Sequence, residues 1–200
     1  MNNKILLIKS SPISQTKSYS TALANRFCKY YQQFHPTDEI ITLDLNEIAM
    51  SKKNIHIHNF VDYFNSSDSD FYINQLKNVN KVIFVSPMIN FNISPIGKAY
   101  LDHILVANKT FSYKYQKQGD AIGLLTHLKV QILTTQGAPF GWYPWGNHTA
   151  YLQGTWAFVG AQVAPPILIA GTKVKPESEL NPEQLIDKYE DKIMVAAKNF

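Results

Sequence analysis

A short apolar run, Val82-Ile83-Phe84-Val85, passes directly into Ser86-Pro87-Met88-Ile89-Asn90-Phe91-Asn92-Ile93-Ser94-Pro95. No other part of the chain restricts the possible folds as much. A wholly apolar run of strand length reads as a strand buried on both faces. The segment after it is rich in small and amide side chains and punctuated by prolines. It ends in Ser-Pro, a pair suited to opening a helix, with proline at a tolerated first-turn position. Strand, loop and helix in this order leave a backbone-lined crevice at the strand's carboxyl end. In open α/β sheets, flat phosphate-bearing ligands bind there. The segment points to a cofactor enzyme.

The rest of the chain repeats the alternation. Ile5-Leu6-Leu7-Ile8 reads as a first strand, followed by a polar loop over 10–17 and a helix with Tyr19, Leu23, Phe27, Tyr30 and Phe34 at helical spacing, ended by Pro36. Ile40-Ile41-Thr42-Leu43 is the second strand, and 71–76 belongs to the second helix. The stretch 45–66 shows no clear period. The third strand spans 81–85, and the third helix opens at Ser94-Pro95. Residues 108–119, rich in Tyr, Phe, Thr and Lys, read as an excursion of hairpin type. A fourth strand at 130–133, a loop over 135–146, a helix through Phe158 and a fifth strand within 166–170 follow. A last helix carries Leu185, Tyr189, Ile193, Ala196 and Phe200 on one face. Five strands with covering helices predict an α/β, doubly wound, five-stranded parallel sheet of flavodoxin-like order with helices on both faces, in one domain over 1–200.

Composition narrows the function classes. With 45% hydrophobic residues in 200, the chain suffices for one sizeable core. Its apolar runs are strand-length, far below the roughly 20 residues of a membrane span. Met1-Asn2-Asn3-Lys4 leads into a strand pattern with no cleavage region of a signal peptide. The single cysteine, Cys28, excludes an internal disulfide and fits a reducing compartment, so a cytoplasmic location is expected. The net charge of +4 comes from scattered lysines, and Arg26 is the only arginine. Arginine forks dominate base-edge and bidentate phosphate contacts, which argues against nucleic-acid readout.

Three loops carry the candidate chemistry. The first holds Ser10, Ser11, Ser14, Thr16, Ser18 and Ser20 where strand one meets helix one. Helix N-termini favour anions. The loop has no glycine, so the Gly-x-Gly-x-x-Gly logic of dinucleotide folds is missing. Six hydroxyl residues exceed what a helix cap requires and suit a terminal phosphate, although Ser18 can serve as a cap alone. The loop also lacks the acidic residues of a phospho-accepting receiver and the cysteine and arginine of a low-molecular-weight phosphatase. The second loop offers the amides of Asn90 and Asn92 and the face of Phe91 to a fused aromatic ring. The third, Thr134-Thr135-Gln136-Gly137-Ala138, offers hydroxyls and a close backbone approach. Beyond it Phe140, Trp142, Tyr143 and Trp145 crowd into one loop, as a planar-ligand site, a subunit interface or a satellite core would require.

At these loops the chain resembles the FMN-dependent NADH:quinone oxidoreductase and azoreductase family of flavodoxin-like fold. The resemblance runs nearly end to end. It is carried by Leu7-Ile8-Lys9-Ser10-Ser11, by Ser18, Ser20 and Leu23 in a Ser-x-Ser-x-x-Leu pattern, and, most specifically, by the segment from Pro87 to Ser94. Further matches are Lys98-Ala99-Tyr100-Leu101-Asp102, Thr110-Phe111-Ser112-Tyr113 and Phe158-Val159-Gly160. The resemblance implies a noncovalent FMN whose phosphate is held by Ser11, Ser18, Tyr19 and Ser20. Its ring would be held by Met88, Ile89, Asn90 and Phe91 and by Thr135, Gln136, Gly137 and Ala138. It further implies a substrate pocket of Phe111, Phe140, Trp142, Tyr143 and Trp145, and a homodimer with flavin sites at the interface. Hydride would pass from NADH through the flavin to quinones or azo compounds, and no side-chain nucleophile is needed.

Three departures from the family pattern stand out. Ile89 occupies a usual tyrosine position. Gln136 and Ala138 replace the arginine and second glycine of a Ser-Arg-Gly-Gly turn, and the first loop is one residue longer. Cofactor affinity and substrate choice are the properties they touch. Two rivals remain at this stage: a flavodoxin-type electron carrier without NADH turnover, and a flavin-free ligand-binding module. Carriers tend to be acidic, and this chain is basic. His56 and His58 lack the carboxylate or thiolate neighbours of a metal site, so no metal is expected. His103 and His148 read as structural or solvent-facing, with His148 near the pocket.

Overall fold

The computed structural model describes residues 2–114 and 121–200. Strands β1 (Lys4–Lys9), β2 (Glu39–Asp44), β3 (Lys81–Pro87), β6 (Lys129–Thr135), β7 (Gln162–Val163) and β8 (Ile167–Ile169) form one parallel sheet. Its order is β2-β1-β3-β6, with β7 and β8 both pairing the far side of β6. This is the flavodoxin order. The strand expected within 166–170 is β8, and β7 is a further short strand not expected from the sequence. Pro165 and Pro166, which have no N–H to give the ladder, fall between them. The buried Gln131 amide fills the gap by donating to the Pro165 carbonyl at 3.0 Å.

Side-chain alternation along the strands makes two cores. Ile5, Leu7, Ile83, Val85 and Leu133 face α1 (Tyr19–Phe34), α5 (Pro182–Asp187) and α6 (Glu190–Asn199). Leu6, Ile8, Val82, Phe84 and Ile132 face α2 (Phe71–Lys77), α3 (Pro95–Ile104) and α4 (His148–Phe158). Helices thus cover both faces of a sheet whose central strands are mostly apolar, as a parallel sheet requires. The single expected C-terminal helix is two. Tighter i+3 bonds from Lys188 N–H to the Leu185 carbonyl (3.2 Å) and from Tyr189 N–H to the Ile186 carbonyl (2.9 Å) break it for one turn. Arg26, the lone arginine, clamps this region to α1 through Asp187 (2.7 Å) and Glu183 (3.2 Å). Cys28 packs against the same core, and burial pushes its thiol up to about 12.

The stretch 45–66 holds a 3-10 turn at Met50–Lys52 and a series of turns, leading into a π-type turn at Ser66–Asp70. It is anchored by buried Leu45, Met50 and Tyr63, whose ring stacks on His103 at 3.8 Å. The excursion forms the antiparallel pair β4 (Phe111–Ser112) and β5 (Ile122–Gly123), while its part over 115–119 lies outside the described residues. A Cβ on Gly123 would stand 2.1 Å from the Gly160 nitrogen, so only glycine lets this hairpin dock at the end of α4. No helix among the described residues is long and apolar enough to cross a membrane.

Candidate functional site

Because β1, β3 and β6 are parallel neighbours, the three loops that follow them emerge side by side. Hydrogen bonds tie them together. Ser10 donates to the Val85 carbonyl through N–H (3.1 Å) and hydroxyl (2.7 Å), Met88 N–H donates to the Thr135 carbonyl (2.7 Å), and Gln136 N–H donates to the Ile169 carbonyl (2.9 Å). α3 is held close as well: a Cβ on Gly97 would meet the Ser10 hydroxyl at 3.0 Å.

In the first loop the hydroxyls divide by task. Ser10 is consumed by Val85, and Ser14 and Thr16 are exposed. Ser18 caps α1 by accepting from Thr21 N–H at 3.1 Å, and it also links Ser11 (2.9 Å) and Ser20 (3.1 Å) into a buried chain of hydroxyls. The Tyr19 and Ser20 N–H groups open the helix and have no intrahelical acceptor. No acidic residue stands in that first turn. An anion fits this donor set. The Tyr19 hydroxyl is directed elsewhere, donating to the Leu180 carbonyl at 2.9 Å. A nearby cavity of about 220 Å³ is bordered by Lys9 but also by Asp44 and Glu47, which repel an anion from that side.

The second loop is a tight turn. Ile89 N–H donates to the Asn92 carbonyl (2.8 Å) and Asn92 N–H to the Ile89 carbonyl (3.1 Å), and the two central residues have φ of 46° at Asn90 and 69° at Phe91. Two successive positive φ values match a type I′ turn. Asparagine tolerates this region, whereas phenylalanine rarely enters it. Such strain collects where a side chain must be aimed. Here it delivers the Phe91 ring to Trp145 (4.4 Å) and Tyr143 (5.1 Å). Ser94 then caps α3, accepting from Gly97 N–H at 3.1 Å.

Between the second and third loops lies a cavity of about 340 Å³ with Met88, Asn90, Phe91, Gly137, Ala138 and Trp142 in its wall. Tyr143, Lys173 and Val174 complete it. A smaller one, about 50 Å³, adjoins it at Gln136, Phe140 and Gly146. Neither wall contains Ser, Thr, Cys, His, Asp or Glu. Their ionisable side chains are Tyr143 and Lys173. Gln136 turns its amide back to the Ala138 carbonyl at 2.9 Å. Ile89 and Thr135 brace the loops from behind through main-chain bonds.

The structure thus gathers Met88, Asn90, Phe91, Gln136, Gly137, Ala138, Phe140, Trp142 and Tyr143 around two adjoining cavities, with Trp145 against Phe91. Phe111 stands apart, buried against Phe158 (4.9 Å) and Tyr113 (5.3 Å). Lys173 and Val174 were not among the expected residues. They follow β8, and the rule that ligands meet the carboxyl ends of parallel strands points to that loop too. His148, at the start of α4, is 1% exposed, with neither ring nitrogen hydrogen-bonded. Burial pushes its pKa down to about 4, so the ring is neutral near pH 7. His56 and His58 lie with ring centroids 5.9 Å apart, and no group of three or more metal-binding side chains occurs among the described residues. A wider groove, about 660 Å³, runs along β7, β8 and α6 at the sheet edge, separate from these loops.

Comparison with known proteins bears on the fold and the family. The model of a family described as having a flavodoxin-like fold matches residues 3–193. An FMN-dependent NADH:quinone oxidoreductase of Malacoplasma penetrans (strain HF-2) is 57% identical over 197 residues, covering 98% of this chain and 93% of the relative. One from Mycoplasmopsis pulmonis (strain UAB CTIP) is 51% identical, covering 98% and 99%. Among solved structures, an azoreductase from Bacillus anthracis str. Sterne superposes with a TM-score of 0.81 at 22% identity, covering 99% of this chain and all of that one. An FMN-dependent NADH-azoreductase from Bacillus anthracis str. Ames Ancestor, solved in complex with FMN, gives 0.77 at 21%, covering 98% and 99%. With that fold, those loops and those relatives, the chain belongs to the FMN-dependent NADH:quinone oxidoreductase family of flavodoxin-like proteins.

Proposed function

We propose that this protein is an FMN-dependent oxidoreductase that takes hydride from NADH and delivers it to quinones and azo compounds. One observation carries the reading above the others: three loops at the carboxyl ends of β1, β3 and β6 are hydrogen-bonded side by side. The first carries an anion-binding donor set and the other two border an aromatic-walled cavity. That combination fits FMN, a phosphate at one end of the molecule and a flat ring at the other. Ser11, Ser18 and Ser20, with the Tyr19 and Ser20 N–H groups, would hold the phosphate. Residues Met88 to Phe91 and Gln136 to Ala138 would hold the ring. Bound FMN supplies the chemistry, accepting hydride from NADH and reducing the acceptor. The protein's residues place the reactants: Phe91, Trp142, Tyr143 and Trp145 offer flat apolar faces against which a nicotinamide, a quinone or an azo dye can lie and exclude water.

The protein is further read as a homodimer. Ile57 (87% exposed), Phe60 (63%) and Val61 (91%) leave apolar side chains in solvent on the 45–66 stretch, and Trp142 and Trp145 are exposed near the cavity. Exposed apolar groups in such number suit an interface between subunits. A cytoplasmic setting agrees with NADH as donor and with one packed, unpaired thiol. The test of the main reading is steady-state NADH consumption by FMN-loaded protein with a benzoquinone, and separately the bleaching of an azo dye. Turnover that requires NADH, FMN and acceptor together supports it. Flavin-bound protein that leaves NADH untouched would make it an electron carrier instead.

A further inference from the structure

Lys173 is held in place by its own main chain. Gly171 N–H donates to the Ala138 carbonyl (3.0 Å), Thr172 N–H to the Gln136 carbonyl (3.2 Å) and Lys173 N–H to the Gly137 carbonyl (2.9 Å). The loop after β8 is thereby laced to the third loop of the site. The lysine stem then crosses Gly137: its Cδ and Cγ stand 2.9 and 3.0 Å from where a Cβ on that glycine would be. Lacking a Cβ, Gly137 leaves room for the methylenes, and they carry the side chain into the wall of the 340 Å³ cavity beside Phe91, Trp142 and Tyr143. No carboxylate borders this cavity. Among the described residues, no Asp or Glu lies within ion-pair distance of the Lys173 ammonium. Its neighbour Lys175 differs, pairing with Glu179 at 2.7 Å. Gln136, where the family pattern has arginine, is neutral and folded back on Ala138.

We propose that Lys173 supplies positive charge to the flavin site, acting on the bound ring. This rests on the FMN reading above. Hydride from NADH carries two electrons and one proton to the ring. The nicotinamide leaves as a cation, and the ring gains one negative charge. The laced loop fixes the main chain of Lys173, whose side chain is exposed along the cavity wall. An ammonium reaching the ring from there would stabilise that charge where it develops. Covering by the ring removes water from one side of the ammonium, which strengthens the interaction. Lys173 thus holds reduced flavin more tightly than oxidised flavin and sets the potential at which NADH can deliver its electrons.

The test is the two-electron midpoint potential of bound FMN, measured by equilibration with a reference dye during slow anaerobic reduction. Affinity for oxidised FMN is measured in parallel by fluorescence quenching. Lys173→Met should leave oxidised-FMN affinity within about twofold and weaken reduced-FMN affinity about tenfold, lowering the potential by ~30 mV. Lys173→Arg should keep the wild-type potential, and Lys175→Met should not move it. A wild-type potential in Lys173→Met overturns the proposal, and so does an equal loss of affinity for both oxidation states, which marks a merely structural lysine. These outcomes leave the FMN reading standing as long as wild-type protein retains FMN and is reduced by NADH. Failure of wild type to retain FMN removes both.

Discussion

Asn90 and Phe91 carry the most conformational cost in the site, since both sit at positive φ in a two-residue turn. A β-branched residue is strongly disfavoured there, so Asn90→Val should destabilise the protein by about 1–2 kcal/mol in urea unfolding, while Asn90→Gly stays near wild type. Ser11 is linked to the helix cap without being the cap. Ser11→Ala should therefore weaken FMN binding about tenfold, ~1.4 kcal/mol, through loss of a charge-assisted hydrogen bond. Riboflavin, which lacks the phosphate, should bind the variant as it binds wild type; equal losses for both would place Ser11 away from the phosphate. The hydroxyl-rich loop was legible because its composition exceeds the needs of a cap. The turn at 89–92 was not, since Asn-Phe is an unusual pair for it and only the pull of Phe91 toward Trp145 explains its adoption. Lys173 was hidden for a different reason: its partner Gly137 is 36 positions away in the numbering, and one lysine in a mildly basic chain carries no local signal.

Elements built from buried runs or clean helical spacing, β1, β3, β6, α1 and α3, appear where the sequence predicts them, because each pattern is dictated by one local period. The fifth strand appears as β8 within the expected range. The two-residue β7 before Pro165-Pro166 is too short to carry a pattern, and the last helix is broken by a turn at Lys188-Tyr189 that no glycine or proline announces. The 45–66 stretch has no period because a few anchors hold it instead of a continuous face. At the start of α4, His148 makes a pH prediction. Its folded pKa, about 4, lies below the ordinary value of 6.5, so the unfolded chain binds more protons between those limits. Stability then rises with pH across that window and is lost as pH falls from about 6.5 toward 4, by on the order of 3 kcal/mol in full. His148→Leu should flatten that part of the profile in chemical denaturation at pH 7 and pH 5. An unchanged slope would assign the acid sensitivity to other groups. His103, also pushed down by burial, is the next to test.

For the molecule as a whole, the order β2-β1-β3-β6 with β7 and β8 outermost brings the three site loops to one edge, and the two cores lock them there. Ile57, Phe60 and Val61 are exposed apolar residues within five positions of one another. Light scattering during size-exclusion chromatography should accordingly give twice the 22.7 kDa chain mass, and Phe60→Ser with Val61→Asp should shift it toward one chain. A monomeric wild type would refute the shared interface while leaving the fold untouched. The central claim, that these loops hold FMN and let NADH reduce it, is tested most directly by visible absorption. Protein reconstituted with FMN and desalted should keep the flavin bands, lose them on anaerobic addition of one equivalent of NADH, and regain them when a quinone is added. Colourless protein after desalting, or bands that NADH leaves unchanged, would contradict the account.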